Sequence, residues 1–322
     1  MNEFRYAIIG NSAAGVCAAE AIRENDRTGS IAMISDEPYH TYSRALIGHL
    51  LAGQISADKM RYRPEDFYGR LDITPLLGRR AVSIDTKKRT ITMEDGKVIE
   101  YGDCLLATGG KPFVPRIGGL DLKGITSFIS MDDAKRLDSL IADAKDVVVI
   151  GGGFIGMEMA DECRKRGNIS VTVVEMLPHC LFIAFDKELC ERAEGVLTDA
   201  GVRVMTNTRA KEIVGNGKAE GVVLENGETV KADIVIFGIG TRPNVELAKQ
   251  AGIEIGPLGA IEVDRYMRTS NPDIFAVGDC AEKTSFFSGQ PSPLRLASIA
   301  TSEARIGAAN LFEIRRENPG VI

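Results

Sequence analysis

No two cysteines of this chain stand at metal-ligand or redox spacing. Its six, Cys17, Cys104, Cys163, Cys180, Cys190 and Cys280, are separated by 87, 59, 17, 10 and 90 residues. That pattern argues against a zinc or iron–sulfur site made by this chain alone, and against a local redox disulfide. Six separate reduced thiols, packed as small apolar groups, are expected, and no metal site. Long apolar runs are missing too: none reaches the roughly 18 residues of a membrane span. The N-terminal apolar run stops at Gly10 and lacks the basic start of a secretory leader. A cytoplasmic location without a membrane span is the expectation. Basic residues are not in excess, with Lys plus Arg at 39 against 45 Asp plus Glu and a net charge of −6. That balance argues against a broad nucleic-acid surface. At 322 residues, 44% apolar and 26% charged, the chain has the composition of a soluble globular protein of about two domains.

Glycine is what the chain has in plenty: 34 residues, clustered in a few loops. Two of those loops belong to an internal repeat. Phe4–Gly15 reads as an apolar strand and the loop GNSAAG, followed by a helix-like Val16–Arg23. Val147–Gly156 reads as an apolar strand and the loop GGGFIG, followed by a helix-like Met157–Arg166. Each copy continues into a second apolar strand ending in acid, Ile31–Ile34 before Asp36 and Glu37, and Val171–Val174 before Glu175. Strand, glycine loop, helix, strand and acid in that order are the signature of a dinucleotide site. The repeat extends to a hairpin signal in each copy, Asp95-Gly96 and Asn226-Gly227, with 13 residues from each hairpin glycine to a terminal Gly109 or Gly240. A third segment, Ile274–Asp279, is a strand running into a Gly-Asp turn. Leu294–Phe312 reads as a closely packed helix, since Ala297, Ala300, Ala304 and Gly307 recur at helical spacing. Ser285–Pro293 reads as a linker rich in Gly, Ser and Pro.

These residues closely resemble the FAD- and NAD(P)H-dependent pyridine nucleotide-disulfide oxidoreductases. The motifs are GNSAAG at 10–15, LLATGGKP at 105–112, VVVIGGGFIGME at 147–158, GTRPN at 240–244 and IFAVGDCA at 274–281. EPYHTYSRALIGHLLAG at 37–53 is most similar to the branch of NADH oxidases, rubredoxin or ferredoxin reductases and nitrite reductases. The resemblance implies an α/β fold of two Rossmann-like, three-layer domains. The NAD domain, at about 113–242, is inserted in an FAD domain made of 1–112 and 243–322. It implies non-covalent FAD approached by Gly10, Ser12, Ala13, Ala14 and Gly15, with Ser12 where the usual pattern has glycine. Asp36 or Glu37 would accept the adenosine ribose hydroxyls, and Arg44 would reach the phosphates. Ala107, Thr108 and Gly109 would cover the nucleotide, and Gly278, Asp279 and Ala297 would complete the site, Asp279 on the ribityl chain. For the nicotinamide nucleotide it implies Gly151, Gly153, Phe154, Ile155, Gly156, Glu175 and Gly240. Glu175 lies 24 residues after Gly151, and no Arg follows it directly. A carboxylate there repels a 2′-phosphate, so NADH is expected over NADPH.

Three residues are implied as catalytic. Phe154 stands where relatives carry an aromatic that lies over the flavin until nicotinamide displaces it. Glu158 matches an acid near the flavin that relatives pair with Lys, and counting along the motif puts His49 at that Lys. Histidine titrates nearer neutrality than lysine does. The chain also departs from the family. Members using thiol chemistry carry a cysteine near positions 43–45, where this chain has Ser43, Arg44 and Ala45. Members usually continue into a third domain that makes the dimer, so no oligomer is assigned. The expected activity is an NADH-dependent flavin reductase whose acceptor is a redox protein or an iron–sulfur subunit. A cysteine-independent NADH oxidase using O₂ and a non-catalytic FAD/NAD redox sensor are the alternatives.

Overall fold

Tyr6–Ile9 is buried residue after residue, the pattern of a parallel strand covered on both faces. In the computed structural model, which describes residues 2–313 and 315–321, the strand Asn2–Ile9 lies at the middle of a seven-stranded sheet. Strands Ile73–Leu76, Ile31–Ile34, Asn2–Ile9 and Val98–Leu106 lie side by side and parallel, with Tyr6 opposite Ile31 and Ile8 opposite Leu105. Val98–Leu106 is shared. Its first residues pair antiparallel with Thr90–Met93 across the Asp95-Gly96 turn, and its last residues pair parallel with Ile274–Ala276. Helices Ala13–Asn25 and Ala297–Asn310 pack on each other. Ala18, Ala19, Ala304 and Ala308 are fully buried, and such short side chains let two helices approach closely. This compact unit comprises the chain through Ser43, then Arg61–Lys111, then Arg242 onward.

The second compact unit is Arg44–Met60 with Pro112–Thr241. Its five strands are all parallel, in the order Arg203–Met205, Ser170–Val174, Asp146–Ile150, Ile234–Phe237, Ile125–Ser127. Ala210–Val214, Gly221–Leu224 and Thr229–Lys231 form a separate antiparallel sheet. Here the repeat diverges. In the first unit one continuous strand serves both hairpin and parallel sheet. In the second, the chain leaves the hairpin at Lys231 and enters the parallel sheet at Ile234. Asp233 fills the break, its carboxylate accepting the amides of Lys145 (2.8 Å) and Asp146 (3.0 Å).

Two expectations change. Arg44–Met60, read from the sequence as part of the FAD domain, packs with the second unit, because Ile47–Leu51 lies on helices Met131–Ile141 and Phe154–Lys165. Arg166 clasps it, donating to the Leu51 carbonyl (2.9 Å) and to Asp138 (2.5 Å). Ser285–Pro293 lies on a short antiparallel ribbon, Lys283–Thr284 against Pro291–Ser292, rather than in a linker. Its Gly, Ser and Pro suit a tight turn as well as a linker. Among the described residues no helix is long and apolar enough to cross a membrane.

Candidate functional site

In the first unit the glycine loop ends at a helix built to face an anion. Ser12 is the N-cap of Ala13–Asn25 but makes no side-chain cap bond, and no acid lies in the first turn. The first amides of a helix lack intrahelical partners, and each such end favours a nearby negative charge by about 0.3–1 kcal/mol. Ala297–Asn310 begins the same way, after Leu296 and with no acid in its first turn. Met131–Ile141 is the opposite case: a Ser130/Asp133 capping box closes its start. Gly278 joins the two open helix ends. It has φ +75°, and a Cβ there would lie 3.0 Å from the Ala14 Cβ and 3.5 Å from the Ala300 Cβ. Gly10 has φ +130°, and a Cβ would come 2.1 Å from the Ala107 carbonyl oxygen. Gly10, Ala14, Ala107 and Gly278 are therefore in close packing, and the turn Gly278–Cys280 carries Asp279 beside them. Thr108 and Gly109 are held by Asn244. The Thr108 hydroxyl donates to the Asn244 carbonyl (2.7 Å), and the Asn244 amide donates to the Gly109 carbonyl (2.9 Å). The cradle fits a dinucleotide pyrophosphate: glycine where backbones meet, an uncapped helix end, and no acid in its first turn.

The acids of this unit are offset from those of the repeat. Gly10 donates to Ile34 and Gly151 to Val174 in the same way, both at 2.8 Å. The counterpart of Glu175 is therefore the buried Ser35. Asp36, one residue on, is exposed. Glu37 is half-buried and accepts the Tyr42 hydroxyl at 2.5 Å. Tyr68 ties this segment to the loop, accepting the Thr41 amide (3.1 Å) and donating to Asn11 (2.9 Å).

In the second unit the same device recurs. Gly151 has φ +106°, and a Cβ on Gly156 would lie 1.9 Å from the Gly151 carbonyl oxygen. Gly153 caps Phe154–Lys165 without a side-chain bond and no acid lies in the first turn. Glu175 is buried, its carboxylate accepting the Gly152 amide at 2.5 Å and the Leu177 amide at 2.7 Å. Those bonds fix the carboxylate and leave lone pairs for ribose hydroxyls. Cys180 packs behind the loop, so that a Cβ on Gly152 would lie 2.5 Å from its Sγ. Phe154 is 60% exposed and meets Phe185 edge-on, ring centroids 5.8 Å apart. Ile155 follows it on the helix, and Gly240 has φ +87° with open space at its Cβ position.

Glu158 and His49 are also in this unit, and they are neighbours. Burial pushes the Glu158 carboxyl above the ordinary carboxylate range; His49 pulls it back and Glu162 adds to the rise. The approach depends on Gly48, where a Cβ would lie 2.2 Å from Glu158 Oε1. His49 Nδ1 lies 2.6 Å from Gln54 Oε1. Arg44 belongs to this unit too, its guanidinium donating to the Ile129 carbonyl at 2.8 Å.

The family model of the pyridine nucleotide-disulphide oxidoreductases matches residues 4–304. The chain belongs to this family. An NADH oxidase of Methanocaldococcus jannaschii is 35% identical over 315 residues, 95% of this chain and 70% of that protein. A rubredoxin-NAD(+) reductase of Pseudomonas putida is 33% identical over 306 residues, 94% of this chain and 79% of that protein. Among solved structures, an NAD-dependent persulfide reductase from A. fulgidus matches all of this chain with a TM-score of 0.93 at 33% identity. The chain spans 61% of that structure's length. As a pyridine nucleotide-disulphide oxidoreductase it has an α/β fold with two Rossmann-like units. Sequence reading missed Asn244, Tyr68 and Ser35 at these sites. Asn244 lay inside a quoted motif, whereas nothing marked Tyr68.

Proposed function

We propose that the chain transfers a hydride from NADH to FAD and passes the electrons one at a time to a redox protein or an iron–sulfur subunit. FAD, when bound, supplies the conversion of a two-electron input into single-electron steps. The protein's part is to hold, orient and tune. Gly10, Ser12, Ala13, Ala14 and Gly15 receive the FAD pyrophosphate. Glu37, fixed by Tyr42, takes the ribose hydroxyls in preference to the exposed Asp36. Ala107, Thr108 and Gly109 cover the nucleotide, and Gly278, Asp279 and Ala297 complete the site. Gly151, Gly153, Ile155, Gly156 and Gly240 receive NADH, whose ribose hydroxyls bind Glu175. Phe154 gives way to nicotinamide, and His49, beside Glu158, answers the negative charge left by hydride transfer.

One observation carries this reading: no thiol stands where members using thiol chemistry carry one. Positions 43–45 are Ser, Arg and Ala, and all six cysteines are free and buried. A neutral Ser cannot cycle through thiolate and sulfenate, so electrons leave the flavin directly. The test is anaerobic reduction by NADH followed by re-oxidation with O₂, a rubredoxin or a ferredoxin. Re-oxidation by one of the proteins at least about tenfold faster than by O₂ is expected. Faster re-oxidation by O₂ would make the chain an oxidase. Slow reduction with a long-lived charge-transfer band would make it a sensor.

A further inference from the structure

A buried ion pair lies behind the Gly278–Cys280 turn. Lys283 and Glu303 are 3% and 1% exposed and meet at 2.8 Å. The Lys283 ammonium donates all three protons, to Glu303 Oε2, to the Gly278 carbonyl (2.5 Å) and to the Ala281 carbonyl (3.0 Å). The same Oε2 accepts the Gly278 amide at 2.9 Å. Both peptide groups of Gly278 are thus held by this one pair. Glu303 Oε1 is buried without a hydrogen-bond partner.

Fold stability does not account for this arrangement. Taking two charges out of water costs more than their attraction commonly returns, and an apolar pair of similar volume is often as stable or more so. The Glu303 carboxyl shows that cost, since burial pushes it up while Lys283 pulls it back. What an apolar pair cannot do is hold a peptide group from both sides. Gly278 needs such holding. Its φ of +75° is one of several open to glycine, and the turn is wedged between Ala14 and Ala300 at the open ends of two helices.

We propose that Lys283 and Glu303 are positioning residues for the flavin: they lock the Gly278–Cys280 turn so that Asp279 meets the ribityl chain in a single orientation. This rests on the assignment of that turn to FAD. The pair touches neither cofactor nor substrate and acts through the two peptide groups it fixes.

The test sets cofactor affinity against fold stability in three variants of the full chain. Lys283→Met/Glu303→Leu removes both charges and leaves none unpaired. Freed of FAD it should unfold within a few degrees of the wild type, the relieved burial of two charges offsetting the bonds lost by the Gly278 amide and the Ala281 carbonyl, yet release FAD about tenfold faster, with an altered visible flavin spectrum. Glu303→Gln keeps an oxygen for Lys283 and for the Gly278 amide but leaves the ammonium uncompensated. It should unfold at lower temperature and release FAD within about threefold of the wild-type rate. FAD release that follows unfolding temperature in both variants would reduce the pair to a structural prop and overturn the inference. So would wild-type FAD retention in the double variant. Should the double variant not fold, Glu303→Gln alone decides, because a prop requires its FAD release to accelerate with its loss of stability. Asp279→Ala is the control. If it holds FAD as the wild type does, the turn is not part of the flavin site and the underlying reading falls first. If it loses FAD while the double variant does not, only the positioning role falls.

Discussion

Glu158 is a carboxyl raised by burial above its ordinary 4.5. The folded chain therefore holds that proton more tightly than the unfolded chain. Stability from this group is present in full below the ordinary value and is lost as pH rises through the raised one. Glu158→Gln should melt a few degrees higher than wild type at about pH 7, and the difference should vanish toward about pH 4. Slower flavin reduction by NADH should accompany it. At the cysteines, burial pushes the thiols of Cys163 and Cys180 up to about 12. A thiol reagent at about pH 8 should label the native chain slowly and the unfolded chain fully, and native-state labelling should leave FAD reduction within about threefold. Glu175 does double duty, gripping the Gly152 and Leu177 amides with its carboxylate. Glu175→Ala should lower kcat/KM for NADH by one to two decades, roughly 1.4–2.8 kcal/mol. The value for NADPH should fall less, so that the ratio of the two narrows.

At the scale of elements, the strand–loop–helix turn is the unit that both halves of the chain reuse. Its crossing point is tight: a Cβ on Gly15 would lie 2.0 Å from the Gly10 carbonyl oxygen, and one on Gly156 would lie 1.9 Å from that of Gly151. Backbone cannot yield as a side chain can, so Gly156→Ala should displace the start of helix Phe154–Lys165. A loss of about 1–3 kcal/mol in stability is expected, with NADH binding weakened severely and FAD retained, as separate titrations would read. Loss of FAD together with NADH would contradict the division of labour. Both glycine turns were legible because their steric demand lies within a dozen residues of chain. The acid was less so. Sequence spacing offered Asp36 or Glu37, while the register of each strand pair makes Ser35 the counterpart of Glu175 in the repeat, a one-residue offset that only paired backbones reveal.

For the whole molecule, one flavin and no redox-active thiol give a simple electron count. Anaerobic titration with NADH should consume one two-electron equivalent per FAD, and heat or acid should release FAD intact from the chain. A second equivalent would reveal another redox centre, and flavin left on the precipitate would show a covalent bond. The sequence by itself determined the two dinucleotide units, their glycine loops, the buried strands and the missing active-site thiol. Each of these is written in neighbouring residues, through steric need for glycine, apolar continuity or simple absence. Only the tertiary structure decided that Arg44–Met60 packs with the second unit, that Gly48 admits Glu158, and that Asn244 holds Thr108 from 136 residues away. It alone brought Lys283 to Glu303, 20 residues along the chain. Such pairs follow no helical or strand period. They arise where separate elements converge, and a buried charge has no local pattern that names its partner.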